Sequence, residues 1–300
     1  MSDPSLADLK AFAAVARRRS FRRAADELGV SRSSLSHALR SLEQRMGVRL
    51  LHRTTRSVSP TEAGHRLLER LVPTLRDLDD LLDAVSRDAG ELTGTLRINA
   101  NEGGARWLLR NAVPAFLSDN PRVSLDLVAE GRLVDIVAEG FDAGVRLAEA
   151  VPQDMIAVPF GGPARFVAVA SPAYLDAFGR PTAPDDLRRH RCIRQRLPSG
   201  KQYRWEFARG GREITVDPPG ALILDDNGLM AEAALAGLGM AFVPESFAAD
   251  ALADGRLVET LAEWSPPIAG LCLYYPSHRH VPAALQAFLK TVRSAGQTAV

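Results

Sequence analysis

Ser33, Ser36, His37 and Arg40 stand at positions i, i+3, i+4 and i+7, a spacing that puts four polar side chains on one face of a helix. Leu35, Ala38, Leu39 and Leu42 fill the opposite face at the same period. Short donors and acceptors on an exposed helical face suit base edges and phosphates in a DNA groove. Arg32 opens this helix, with Ser33 and Ser34 beside it. Its guanidinium fork matches the O6 and N7 acceptors of guanine. The chemistry expected is recognition, with no bond made or broken.

The elements that must position this face are legible nearby. Ser20 is a good N-cap for a preceding helix whose Ala24, Ala25 and Leu28 share one face. Gly29 supplies the left-handed residue that stops it, and Ser31 caps the polar-faced helix two residues later. A short Gly-containing link between two helices is the helix-turn-helix signature. An earlier helix, from about Leu6 to Arg18, offers Leu6, Leu9, Ala13 and Ala16 as a packing stripe. A basic hairpin, RTTRSVSPTEAG, follows from Arg53.

Charge separates this head from the rest. Residues 1–66 hold thirteen Lys and Arg against six Asp and Glu, a surplus of +7, while the whole chain is +1, so the remainder carries −6. A basic head on an acidic body favours a polyanionic partner for the head alone. Solvated surface arginines on a small helical domain would give the same count. Caps, turn, two-faced helix and charge agree only for the nucleic-acid reading.

These residues resemble the head of the LysR-type transcriptional regulators. The likeness runs through LADLKAFAAVARRRSF and RAADELGVSRSSLSHALRSLEQRMGVRLLHRTTRSVSPTEAG without a gap. Many members have Gln where this chain has Arg32, and Pro or Ala where it has Ser33, so the bases preferred near the helix start need not be typical. The resemblance implies that Arg53 and Arg56 belong to a wing reaching the DNA backbone or minor groove, where arginines suit a narrow groove.

Thr61 caps a further helix. Leu68, Leu71, Leu75, Leu78, Leu82 and Val85 recur along it at alternating steps of three and four, a heptad seam of the kind that pairs helices. An amphipathic helix packed on its own domain would show the same spacing over so short a run. After a winged head, dimerisation is the expected use, because it lets two recognition helices reach successive major grooves. Pro73 should kink the helix or remove one hydrogen bond. Arg87 to Thr93 reads as a hinge.

From Leu92 strand and helix patterns alternate. TLRINA reads as a strand, RWLLRNAVPAFLSD as one helix, VSLDLVA as a strand and VDIVAEG as helical, and the alternation continues to the closing helix VPAALQAFLKTVR. Such alternation predicts parallel sheets with crossover helices, and about two hundred residues allow two lobes. Here too the chain resembles the LysR family, in GFDAGVRLAEAV, VASPAYLDAFGRPTAPDDL, AALAGLGMAFVPE, DGRLVETL and LYYPSHRHVPAALQAFL. The fold class implied is an α-helical winged helix-turn-helix domain (1–60) and a linker helix with hinge (61–91). Behind them comes a two-lobed α/β effector domain (92–300), Rossmann-like and of the periplasmic-binding-protein type. By that likeness lobe I is 92–164 plus 268–300 and lobe II is 165–267. The chain would cross between them near Ala168–Ser171 and Trp264–Ala269, and a small-molecule effector would sit in the crevice at the strand ends.

Candidate crevice residues follow from position. Asn101, Glu102 and Gly103 open a helix, whose free N–H groups favour an anion. Glu130 ends the second strand, Arg146 ends the third and suits a carboxylate, and Ser199, Gly200 and Asn227 are second-lobe candidates. Each has a plainer alternative: Asn101 as a cap, Arg146 in a surface ion pair, Asn227 as N-cap of a Leu229–Ala236 helix.

Catalytic arrangements are not found in the sequence. Cys192 and Cys272 are the only cysteines, without metal spacing, and read as buried apolar residues free of a disulfide. His278 and His280 have no carboxylate at metalloprotease spacing, and His190 near Cys192 makes no triad. With no signal peptide or membrane-length apolar run, a cytoplasmic chain without cofactor is expected. The function expected is an effector-responsive regulator of double-stranded DNA. By resemblance it would be a homodimer or homotetramer that contacts RNA polymerase. A DNA-binding protein whose body is only an oligomerisation scaffold is the first rival. An enzyme or solute-binding protein with the head as accessory is the second.

Overall fold

A computed structural model describes residues 4–53, 58–86, 92–277 and 281–298. The chain begins with three helices, α1 (Leu6–Arg18), α2 (Phe21–Leu28) and α3 (Arg32–Met46). Local chemistry sets each boundary. Ser5 and Asp8 form a reciprocal capping box on α1. Ser20 and Ser31 accept first-turn N–H groups of α2 and α3, and Gly29 and Gly47 close those helices at φ 64° and 66°. Strands β1 (Leu51–Arg53) and β2 (Val58–Pro60) pair antiparallel as a wing.

The packing stripe of α1 differs from the expected one. Phe12 and Val15 are fully buried with Ala11, Ala14 and Ala16, while Leu6 is exposed and Leu9 and Ala13 are only partly covered. Helices α2, α3 and the next helix wrap α1 from several sides, so the covered arc is wider and rotated from the stripe that leucine spacing suggests. In α2 and α3, Ala24, Ala25, Leu35, Leu39 and Leu42 enter the core as the periodicity requires.

Helix α4 (Glu62–Ser86) starts where the Thr61 hydroxyl accepts the Gly64 N–H at 3.0 Å. A Cβ on Gly64 would lie 2.2 Å from the Leu50 carbonyl oxygen, so only glycine lets α4 approach the wing this closely. The helix runs unbroken through Pro73. Its first turns pack on the head: Leu71 is 7% exposed in the head core, with Leu68 and Leu75 partly buried against it. That stretch of the seam therefore serves its own domain. Leu78 is half-buried, and the side chains of Leu82 and Val85 lie outside the described residues, as do residues 87–91 of the expected hinge at Arg87–Thr93.

Behind the head lie two five-stranded sheets. The first is built from β3 (Gly94–Ala100), β4 (Val123–Ala129), β5 (Ala143–Leu147) and β6 (Met155–Phe160), with the late strand β14 (Leu271–Pro276), in the order β4-β3-β5-β14-β6. The second is built from β7 (Phe166–Ala170), β8 (Cys192–Gln195), β11 (Leu222–Leu224), β12 (Met240–Pro244) and β13 (Val258–Thr260), in the order β11-β8-β12-β7-β13. Strands β9 (Trp205–Arg209) and β10 (Arg212–Val216) form a separate hairpin.

The sheets are mixed, not all parallel. Strand β14 is antiparallel to β5 and β6, and β7 is antiparallel to β12 and β13. Both β7 and β14 arrive from the other sheet, without the crossover helix that a parallel neighbour needs. The crossings lie at residues 161–165 and 261–270, where Ala164 bridges Ile268. The first of these precedes Ala168–Ser171, which are occupied by β7 and by the N-cap of helix α7 (Pro172–Phe178).

Two more expectations on the first sheet need correction. RWLLRNAVPAFLSD is two helices, α5 (Glu102–Asn111) and α6 (Val113–Asp119), broken at Ala112, where Pro114 has no N–H to continue the ladder. VDIVAEG is a run of turns, in which Asp135 accepts from Val137 and Ala138 and Gly140 closes at φ 86°. Helices α5, α6 and α10 (Ala283–Thr298) cover one face of the first sheet, where Phe116 meets Phe288 edge-on at 4.9 Å. In the second sheet alternate residues feed two cores. Val167 and Val169 face α8 (Asn227–Leu235) and α9 (Ala249–Ala253), and Ala168 and Ala170 face Trp205, Phe207 and Phe242.

Candidate nucleic-acid interface and ligand crevice

Arg32, Ser33, Ser34, His37 and Arg40 are exposed along α3, and Ser36 is half-exposed. They lie opposite Leu35, Leu39 and Leu42, which anchor the helix at 2% exposure or less. The start of the helix is preorganised: the Ser31 hydroxyl lies 2.8 Å from the hydroxyls of both Ser33 and Ser34. One turn later Arg40 donates to the Ser36 hydroxyl at 3.2 Å. This leaves Arg32 and His37 as side chains with open reach.

Arg53 is placed differently from the expectation. Its guanidinium donates to Glu43 at 2.9 Å and stacks 5.3 Å above the Phe21 ring, so it ties the wing to α3 and α2. Arg56 lies outside the described residues. Glu43 is the residue that sequence reading missed. Its Oε1 accepts the backbone N–H groups of Leu50 and Leu51 at 2.9 and 3.1 Å while its other oxygen holds Arg53. One carboxylate thus joins the end of the recognition helix to the root of the wing. Its clue is an acidic residue in a basic head, which names no partner.

The crevice candidates fall into two groups. In the first, the N-termini of α5 and α8 meet. Asn101 caps α5 by accepting the Gly104 N–H at 2.7 Å. The cap of α8 is Asp226, which accepts the Leu229 N–H at 2.7 Å; Asn227 is the first helical residue and takes a 3.4 Å hydrogen bond from Gln195. A Cβ on Gly228 would lie 3.5 Å from Arg106 Nη2 and 3.6 Å from Glu102 Oε1, so the two helix ends are in contact range. Arg106 also lies over the Phe247 ring at 5.4 Å, and Gly103 faces the same ring. Burial, with the neighbouring Asp226 carboxylate, pushes the Glu102 carboxyl above its ordinary range, against the pull of Arg106.

The second group is Glu130 with the turn at 198–200. Gly131 approaches Pro198, whose exposed neighbours Ser199 and Gly200 turn at a φ of 82°. Glu130 accepts from Arg132 at 2.8 Å.

Arg146 belongs to neither group and is not a surface ion pair. It is 4% exposed, and its terminal nitrogens donate to the Val145 carbonyl at 2.7 Å, the Arg132 carbonyl at 2.8 Å and the Asn99 side chain. It fixes the 130–132 turn from below. A charged side chain at a strand end reads as exposed in sequence, but here the turns after β4 fold over it.

Cys192 and Cys272 are buried free thiols, pushed up by burial, to about 12 for Cys192. His190 faces the Tyr174 hydroxyl at 3.3 Å. His278 and His280 lie outside the described residues. Among the described residues no helix is long and apolar enough to cross a membrane.

Comparison with known proteins covers nearly the whole chain. Residues 6–65 match the bacterial regulatory helix-turn-helix protein, lysR family, and residues 89–297 match the LysR substrate binding domain. The uncharacterized HTH-type transcriptional regulator YcaN of Escherichia coli is 41% identical over 97% of this chain and 95% of its own length. The E. coli regulator PgrR is 39% identical over 99% of both chains. Full-length LysG of Corynebacterium glutamicum, solved with bound effector Arg, superposes at a TM-score of 0.62 with 22% identity over 99% of both chains, a likeness of fold.

Proposed function

This chain belongs to the LysR family of DNA-binding transcriptional regulators, and we propose that it binds an operator as a dimer or tetramer through α3, under control of a small molecule held between its two sheets. It is a regulator with a substrate-binding domain, not an enzyme. The observation that carries the DNA reading is the exposed face of Arg32, Ser33, Ser34, Ser36, His37 and Arg40 on a head of charge +7. These six read bases and phosphates; Arg56 reaches the backbone from the wing, and Arg53 supports the wing and contacts DNA at its margin. The boundaries we assign are a head at 1–60, a linker at 61–91 and an effector domain at 92–300. Its lobes are 92–164 plus 268–300 and 165–267.

The distal part of α4, from Leu78 through Leu82 and Val85, supplies the dimer seam, with Leu68, Leu71 and Leu75 bracing it on the head. A ligand between Asn101, Glu102 and Gly103 on one side and Asn227 on the other would hold two helix ends at one spacing. Glu130, Ser199 and Gly200 would line the same crevice. Differential affinity for two lobe spacings then biases the assembly. A cytoplasmic tetramer that contacts RNA polymerase fits this reading.

Footprinting of the full-length chain on DNA selected from a random pool tests it. Two half-sites are expected, their centres about one helical turn, or a whole number of turns, apart. Protection of a single isolated site would overturn the dimer reading.

A further inference from the structure

The second sheet carries a basic cavity that the crevice does not account for. Side chains alternate along β8, so Gln195 faces Asn227 of α8 while Arg194 leaves on the opposite face, toward the β9–β10 hairpin. Arg194, Leu197, Lys201, Tyr203, Arg204 and Asp217 surround a cavity of about 730 Å³ there. Three of these side chains are cationic and one is anionic.

Arg194 is the informative member. Its side chain is only 13% exposed, and one terminal nitrogen donates to Asp217. Its Nε is buried without a partner among the described residues. A buried donor left unmade is costly, and such groups ordinarily find a partner. Asp217 is 57% exposed and leaves that edge of the guanidinium half used. Lys201 and Arg204 are exposed and make no ion pair among the described residues. Burial, with Glu206 nearby, pushes the Tyr203 phenol up, so it stays protonated and donates to Glu206 at 3.3 Å.

We propose that this cavity, on the face of β8 opposite Asn227 and adjoining the turn that carries Ser199 and Gly200, is a second ligand site for a small organic dianion with an oxyanion at each end. One oxyanion displaces Asp217 into solvent and takes both Nε and the terminal nitrogen of Arg194, two parallel bonds where Asp217 makes one. Lys201 and Arg204 hold the other end. The volume exceeds that of inorganic phosphate and leaves room for an organic dianion. Short dicarboxylates have this chemistry; a phosphate monoester, with both charges on one group, lacks the second oxyanion.

Calorimetric titration of the full-length chain with succinate, glycerol 3-phosphate, inorganic phosphate and neutral succinamide tests the proposal. Saturable binding of succinate is expected, with succinamide silent and with glycerol 3-phosphate and inorganic phosphate, whose charges sit on one group, weaker. Arg194→Gln should weaken binding about tenfold or more, and Asp217→Asn should tighten it severalfold by removing the competing carboxylate. A merely structural Arg194–Asp217 pair would move both variants in the same direction. The paired Lys201→Gln/Arg204→Gln change, on exposed positions, should weaken binding even if Arg194→Gln fails to fold. Asn227→Ala should leave dianion binding intact. The proposal is overturned if succinate does not bind at about 10 mM, if Asp217→Asn also weakens binding, or if Asn227→Ala abolishes binding that Arg194→Gln retains.

Discussion

Replacing Glu43 with Ala removes the acceptor for two backbone N–H groups at once. Leu50 and Leu51 are 1% and 3% exposed, so neither amide readily finds water. A hydrogen bond to a charged group contributes about 1.5–3 kcal/mol net, and an orphaned buried donor costs a similar amount. The Arg53 pair, at 26% and 14% side-chain exposure, adds less than about 1 kcal/mol. The total is at least about 3 kcal/mol for the unit of α3 and wing. Glu43→Gln keeps one carbonyl oxygen for the two amides and loses only the charge, so about 1 kcal/mol is expected. Hydrogen exchange read by mass spectrometry on the full-length chain isolates this unit from the two sheets. Glu43→Ala should speed exchange in peptides from the end of α3 and the wing roughly a hundredfold, and Glu43→Gln severalfold. If Glu43→Ala changes exchange there by less than about threefold, the carboxylate does not hold the wing and the reasoning fails.

The two halves of α4 should separate on mutation: Leu71→Ala, in the head core, should cost about 2–5 kcal/mol of head stability in urea denaturation. Leu78→Asp should instead shift sedimentation toward monomer while head exchange stays protected. His190, 7% exposed against Tyr174, is held below its ordinary value of 6.5 chiefly by burial. The unfolded chain therefore takes up a proton that the fold resists. Stability should be level above 6.5, fall as pH drops from 6.5 to the lowered value and level off below it, and His190→Asn should flatten that part of a melting-temperature profile.

What the sequence made legible was local. Caps at Ser20, Ser31 and Thr61 and the stop at Gly29 depend on neighbours within a few residues, so they could be read directly. So could the two faces of α3, because a straight helix with one partner surface keeps its period. Long-range packing decided the rest. Helix α1 buries Phe12 and Val15 because several helices enclose it. Leu71 turned inward because Gly64 lets α4 press on Leu50. The double role of Glu43 and the internal use of Arg146 depend on backbone groups distant in sequence that no periodicity marks. Strand direction in β14 follows from arriving out of the other sheet, which residue types do not encode. The break at Ala112 was readable in principle, since Pro114 sits inside the predicted helix.

A basic head that recognises duplex DNA through α3 must bind it with a strong dependence on salt. Arg22, Arg23, Arg32, Arg40 and Arg49 are all exposed on the head. A dimer that neutralises about six phosphates should lose affinity with a log–log slope near −5 for a selected duplex. Arg40→Ala should make the slope about 2 shallower, one phosphate contact per protomer. A full-length chain that stays unbound at low salt, or binds with a slope shallower than about −1, would contradict it.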